Sequence, residues 1–299
     1  MAPTTRLVKQ MIQDSMDDLT RSERQLASVL LQDYPMAGLQ SITRLATAAG
    51  VSTPTVIRMA RKLGFEGFPA LQDALRAELA AQIKKPISKR DDWGSDDGAR
   101  HLLSRFAEAV SENMRHTLDR IDPALFDTVA RVLADTRRTV YVVGGRITRS
   151  NADYLFNHLQ IIRPHVTQLG NSTNVWPQYL LDMDDRTVLV IFDIRRYEAD
   201  LERLAKLASE RGATVVLFTD QWGSPIGRVA DFTFHGLVEA PSSWDSTIAL
   251  MLIAEALIAE VQNMRWEEAR ERIEELEAMF SSTRLFRSQG GLKPDGCEA

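Results

Sequence analysis

The chain of 299 residues has a single cysteine, Cys297, set in a polar tail. That count excludes disulfide scaffolding within the chain and cysteine-rich metal sites, and it agrees with a reducing compartment. No apolar run approaches the roughly 20 residues that a membrane helix needs, so no membrane partner is expected. The amino terminus, MAPTTRLVKQMIQDSMDDL, places acids and polar residues where a signal peptide would need an apolar core. A cytoplasmic protein is expected. The five histidines, His101, His116, His158, His165 and His235, show no H-x-x-x-H or comparable ligand spacing, so neither a metal nor a cofactor is expected. A dinucleotide loop starting at Gly144 would need glycine where Arg146 and Arg149 stand, and Pro164 takes the place of the ribose-binding acid. There is no tandem repeat.

What is present is ordinary in amount and uneven in placement. Hydrophobic residues make up 44% and charged residues 26%, the balance of a globular protein, and the length favours two compact domains. The formal net charge is −5. Residues 1–85 carry eleven basic against eight acidic side chains, a local charge of +3, so the remainder carries −8. A basic head on an acidic body is the pattern of a nucleic-acid-binding domain joined to something else.

Within the head, SITRLATAAGVSTPTVIRMARKLGFEGFP (41–69) spells two short helices around a glycine turn. Ile42, Leu45 and Ala46 form one apolar face, Gly50 supplies the positive φ that ends the first helix, Ser52 is placed to N-cap the second, and Pro54 falls in its first turn. Small Ala46, then Gly50 and Val56, allow the close, steep packing of a helix-turn-helix. The second helix then presents Ser52, Thr53, Thr55, Arg58, Arg61 and Lys62, groups that bind base edges and phosphates. A plain helical hairpin with solvated Arg and Lys is the alternative.

The segment KKPISKRDDWGSDDGAR (84–100) reads as a linker, and Leu102, Phe106, Val110, Met114 and Leu118 give a connecting helix after it. Continuous apolar runs at 139–145, 187–193 and 213–220, with weaker ones at 165–169 and 231–235, alternate with helical stretches such as 150–160, 197–211 and 245–262. Such strands predict a five-stranded parallel sheet covered on both faces. In WEEARERIEELEAMF, Glu267, Glu268, Glu271, Glu274 and Glu275 mark a solvated helix face, while Ile273, Leu276 and Phe280 cover the body or join a dimer. The expected organisation is a helix-turn-helix domain over 1–83, a charged linker and connecting helix over 84–121, an α/β effector and dimerisation domain over 122–265, and a carboxy-terminal helix and flexible tail over 266–299.

Residues 17–80, with LTRSERQLASVLL before the turn and RKLGFEGFPALQDALR after it, resemble the amino-terminal domain of the RpiR family of bacterial transcriptional regulators. The second half resembles that family's SIS (sugar isomerase) domain, a five-stranded parallel α/β sandwich. The resemblance covers roughly residues 5–265. It implies a carbohydrate-derivative-binding, DNA-binding regulator that works as a homodimer or homotetramer on double-stranded operator DNA.

Two ligand loops depart from the family pattern. Where a SIS domain has G-x-G-x-S, this chain has Gly144, Gly145, Arg146, Ile147 and Thr148. Where the family shows Ser-x-Ser-Gly-x-Thr, it has Asp193, Ile194, Arg195, Arg196 and Tyr197. Arginines just ahead of a helix are disfavoured by its dipole unless a negative group intervenes, and that group is Asp193, Glu198 or a ligand. Gly144, Gly145, Arg146, Thr148, Asp193, Arg195 and Arg196, with Ser242 and Ser243 as a third wall, are therefore the expected site of a small anionic effector: a sugar phosphate, a sugar acid or another carboxylate. A salt-bridge cluster is the alternative reading of the arginines, and simple N-capping that of the serines. A SIS-type phosphosugar isomerase with an appended helical domain is the alternative function. It needs a general base, for which Glu239 and Asp193 are the nearby acids; neither sits in a catalytic motif, and no enzymatic activity is expected.

Overall fold

A computed structural model describes residues 7–83, 89, 101–170 and 172–283. Cys297, most of the 84–100 linker and the end of the carboxy-terminal tail lie outside the described residues. The chain divides into two compact units: residues 1–102 with 241–244, and residues 103–240 with 245–299.

The first unit is helical: α1 (Val8–Asp14), α2 (Arg21–Gln32), α3 (Met36–Leu39), α4 (Ile42–Ala48), α5 (Thr53–Lys62) and α6 (Phe68–Ile83). A capping box starts α2, with Thr20 N–H donating to Glu23 Oε2 at 2.9 Å and Glu23 N–H to Thr20 Oγ1 at 3.4 Å. Gly50, at φ 61°, ends α4. Its N–H donates to Thr47 O at 3.1 Å and that of Val51 to Ala46 O at 2.9 Å, the paired bonds of a Schellman motif. Gly64 closes α5 in the same way at φ 91°, with Phe65 N–H on Ala60 O. Leu45, Ala46, Val56, Met59, Ala60 and Leu63 are buried together with Leu26, Leu30, Leu71 and Leu75.

The second unit takes in α7 (Leu102–Leu118) from its second residue onward, and then α8 (Pro123–Ala134). The latter is a helix that the strand-helix alternation read from Asp122 onward does not include; Asp122 caps it through Ala124 N–H at 2.9 Å. There follow β1 (Thr139–Gly144), α9 (Arg149–Ile162), β2 (Val166–Gln168), α10 (Trp176–Leu181), β3 (Thr187–Asp193), α11 (Ala199–Glu210), β4 (Thr214–Asp220), β5 (Phe232–Gly236), α12 (Ile248–Met264) and α13 (Trp266–Thr283). All four strand pairs are parallel, in the order β2-β1-β3-β4-β5.

The apolar runs are continuous because both faces are covered. Val140, Val142, Val188, Val190, Val216 and Phe218 meet α8, α9 and α12 on one side. Tyr141, Val143, Leu189, Ile191, Val215 and Leu217 meet α10 and α11 on the other. The helix expected from 245, α12, begins at Ile248, because Ser246 is still bound to the loop: its N–H donates to Val238 O at 2.8 Å.

Two buried carboxylates end adjacent strands. Asp220, wholly buried at the end of β4, accepts from Arg195 N–H at 2.7 Å, Tyr197 Oη at 2.8 Å, Trp222 N–H at 3.0 Å and Gly223 N–H at 3.1 Å. Asp193, at the end of β3, accepts from Ser224 Oγ at 2.5 Å and Glu198 N–H at 3.3 Å. The loop after β3 is thereby fastened to the loop after β4.

Two outcomes follow from these contacts. Gly50→Ala should lower the unfolding free energy by about 1–2 kcal/mol, the penalty for an L side chain in the left-handed region, measured by urea denaturation. Burial pushes the Asp193 carboxyl from 3.8 up to about 6. A folded value above the unfolded one means that this group favours folding at low pH, and that its contribution is lost as pH rises through about 6. At 1.36 kcal/mol per unit, the stability of the wild type relative to Asp193→Asn should fall by up to about 3 kcal/mol between pH ~4 and ~7. A difference independent of pH would contradict the assignment.

Candidate functional site

On α5 the predicted DNA-facing residues separate by location. Val56, Met59, Ala60 and Leu63 are buried, and Thr55, one turn before Met59, lies on that same side with 4% of its surface exposed. This corrects the placement of Thr55 on the presented face: its Oγ1 lies 2.9 Å from Ser52 Oγ and accepts from Arg58 Nη2 at 3.3 Å. Ser52 holds the N-cap position, but its hydroxyl bonds to Thr55 rather than to a backbone N–H. Thr53 is half-buried at the helix start, and Arg58 and Arg61 are exposed. Arg61 Nε donates to Glu66 O at 3.3 Å.

Lys62 is engaged inside the domain. Its Nζ donates to Asp18 O and lies 3.3 Å from Glu23 Oε2, joining the end of α5 to the capping box of α2. On α4, Thr43, Arg44 and Thr47 are exposed. The first helix of a helix-turn-helix crosses the DNA backbone, and Arg44 is the basic group there that the reading of α5 alone omits.

In the α/β unit, the strand order reverses between β1 and β3, and open parallel sheets bind ligands in the crevice that such a reversal opens at the carboxyl ends of the strands. A cavity of about 330 Å³ is lined there by Gly145, Arg146, Arg149, Gln168, Trp176 and Glu198, among others. Its first wall is the loop after β1. Gly144 is required by close approach, since a Cβ would lie 2.6 Å from Thr148 O. Thr148 is buried, donates to Phe192 O at 2.6 Å and accepts from Gly145 N–H at 3.0 Å. Its hydroxyl therefore joins the loop to β3 and is closed to a ligand, which corrects the role predicted for it. Arg146 and Arg149 are exposed at the rim, with Arg149 Nε 3.6 Å from Asp153 Oδ1.

The loop after β3 differs more from expectation. The Arg195 side chain is only 7% exposed; Nε lies 2.9 Å from Asp245 Oδ2, Nη2 lies 3.5 Å from Glu239 Oε1, and the guanidinium sits 4.1 Å above the Trp222 ring. Arg195 is thus paired internally, by acids other than the Asp193 and Glu198 expected to do it. Asp193 is turned to Ser224 and does not line the cavity. Arg196 is exposed, at φ 65°. Ser242 and Ser243 belong to the 241–244 segment that groups with the first unit, and Ser242 Oγ accepts from Trp244 N–H at 3.1 Å. They are not a wall of this cavity.

The residue whose placement the sequence reading missed is Glu198. It occupies the N-cap position of α11, and its Oε1 accepts the Arg146 N–H at 2.6 Å across the crevice. A Cβ on Gly145 would lie 2.9 Å from that oxygen, so glycine is what lets the carboxylate reach the loop. The signal was available: extending the family loop Ser-x-Ser-Gly-x-Thr along Asp193–Glu198 puts Arg196 in the glycine place, in agreement with its positive φ, and Glu198 in the threonine place.

Residues 6–82 match the helix-turn-helix domain of the rpiR family, and residues 133–260 match the SIS domain. HexR of Pseudomonas aeruginosa, an HTH-type transcriptional regulator, is 29% identical over 73% of this chain and 75% of its own length. HexR of Escherichia coli is 23% identical over 95% of this chain and 98% of its own. Among solved structures, the sugar isomerase domain of an RpiR transcription factor from Sphaerobacter thermophilus superposes with a TM-score of 0.56 at 20% identity, covering 60% of this chain and 99% of that one. The Vibrio vulnificus NanR protein complexed with ManNAc-6P superposes with a TM-score of 0.55 at 16% identity, covering 94% and 99%. Both likenesses concern the fold. No helix among the described residues is long and apolar enough to cross a membrane. With both domains matched in order and relatives named as regulators along nearly its whole length, the chain belongs to the RpiR family of helix-turn-helix transcriptional regulators with a SIS domain.

Proposed function

We propose that this regulator binds operator DNA through α5, with Arg58 and Ser52–Thr53 toward the bases and Arg61 and Arg44 toward phosphates, and that a small anionic metabolite held at the β1–β3 crevice sets its affinity. The observation that carries the reading is the pair of exposed guanidinium groups, Arg146 and Arg149, at the rim of a ligand-sized cavity. Planar, bidentate donors suit a carboxylate or phosphate oxygen pair. NanR, complexed with ManNAc-6P, supports a ligand-binding role for a SIS domain joined to such a head. Neither acid named for an isomerase base lines the cavity, Asp193 being turned to Ser224 and Glu239 to Arg195, and the carboxylate that does, Glu198, is engaged by the Arg146 N–H. A single recognition helix buries too little surface for tight specific binding, so the protein acts as a dimer or tetramer on paired half-sites about one DNA turn apart. Linkage requires DNA to change effector affinity by the same factor that effector changes DNA affinity.

In gel shifts with the gene's own upstream DNA, Arg58→Ala should weaken operator binding by about 1–3 kcal/mol and flatten preference at one base position. Arg61→Ala should weaken specific and random DNA alike and reduce the salt slope by about one unit. Lys62→Ala should leave that slope unchanged, because its ammonium is engaged by Asp18 and Glu23. Equal effects of all three changes would overturn the assignment.

The ligand half is tested by a thermal-shift panel of sugar phosphates, sugar acids and small carboxylates on the full chain. A compound that raises the melting temperature and alters operator affinity should lose both effects in the Arg146→Gln, Arg149→Gln double variant, whose ligand-free DNA binding stays near wild type. A normal response from that variant would refute the site.

A further inference from the structure

The loop after β1 offers the Arg146 backbone N–H ahead of the N-terminus of the fourteen-residue α9, flanked by two arginine side chains, an arrangement that attracts an anion. It is already filled from within the chain. Glu198 Oε1 accepts the Arg146 N–H at 2.6 Å, and Gly145 leaves no Cβ to hold the carboxylate away. Glu198 is itself held: its own N–H donates to Asp193, and its backbone lies three residues after Arg195, whose N–H is fastened to Asp220.

We infer that Glu198 is the specificity-determining residue of this cavity, an internal anion that closes the loop to phosphate monoesters and leaves the cavity to non-phosphorylated ligands. This rests on the reading of the cavity as the ligand site. The physical reason is competition and repulsion together. A tethered carboxylate is present at an effective concentration that a dilute metabolite phosphate does not match. A phosphate seated beside it would place two like charges within a few ångströms in a partly enclosed site. A ligand that coexists with Glu198 instead donates hydroxyls to it while its own carboxylate meets the Arg146 and Arg149 guanidinium groups, which describes a small hydroxy acid.

The experiment is calorimetric titration of the full chain with inorganic phosphate and with glucose 6-phosphate, comparing wild type, Glu198→Gln and Glu198→Thr. The glutamine is nearly isosteric and removes only the charge; the threonine opens the seat. Wild type should show no saturable binding, and at least one of the two phosphate probes should bind each variant at least about ten-fold more tightly, with threonine the tighter. Should the threonine variant lose its cooperative thermal transition, the glutamine variant decides alone. Phosphate binding by the wild type equal to that of the variants, or no gain in either variant, overturns the inference. Failure of the cavity reading itself has a different signature: no variant binds either probe, and Arg146→Gln with Arg149→Gln leaves the regulatory response unchanged.

Discussion

The wholly buried Asp220 carboxylate is the constraint on which the ligand end of the α/β unit depends. A carboxyl group taken out of water is tolerated only where hydrogen-bond partners replace its hydration, and burial pushes the Asp220 carboxyl above the usual carboxylate range. Here four do so: two on the loop that follows β4, and two on the loop that follows β3. Because the bonds reach both loops, the path from Arg195 to Tyr197 is set by β4 and not by its own sequence preferences. Glu198 comes next in the chain, and its position over the first loop follows from that path. The cavity wall is therefore built from β4 outward, through a carboxylate that touches no part of the cavity.

The sequence was legible where a residue's role is decided by its near neighbours. Gly50 and Pro54 lie within the turn and helix that they shape, so the helix-turn-helix could be read from them directly. The apolar runs at 187–193 and 213–220 lack alternation because helices cover both faces, and that too is written locally. Loop chemistry is different. Arg195 is neutralised by Glu239 and Asp245, 44 and 50 positions away, and Thr148 donates to Phe192, 44 positions on. A sequence shows that a charge needs a partner without showing which one. Lys62 carries the same lesson, since its partners belong to the start of α2.

Thr55 shows the limit within a single helix. The apolar face defined by Val56, Met59, Ala60 and Leu63 spans enough of the cylinder to include position 55, one turn before Met59. A threonine there is buried because its hydroxyl is satisfied by Ser52 and Arg58. Polarity assigned it to the presented face; geometry and hydrogen-bond satisfaction assign it to the packed one.

Arg196 joins these threads. A non-glycine residue at φ 65° is disfavoured by about 1–2 kcal/mol, and such strain persists only where surrounding contacts over-determine the backbone. Those contacts are visible: Asp220 holds Arg195 on one side and Tyr197 on the other. A glycine would adopt this turn without strain, and with it the chain would have one more conformational freedom beside the cavity. An arginine held left-handed instead leaves a stiff loop and projects a charge to the surface. The loop that in the family pattern is built from hydroxyls and a flexible glycine has here become a rigid, ion-paired brace, and the one anionic group that it delivers to the crevice is Glu198.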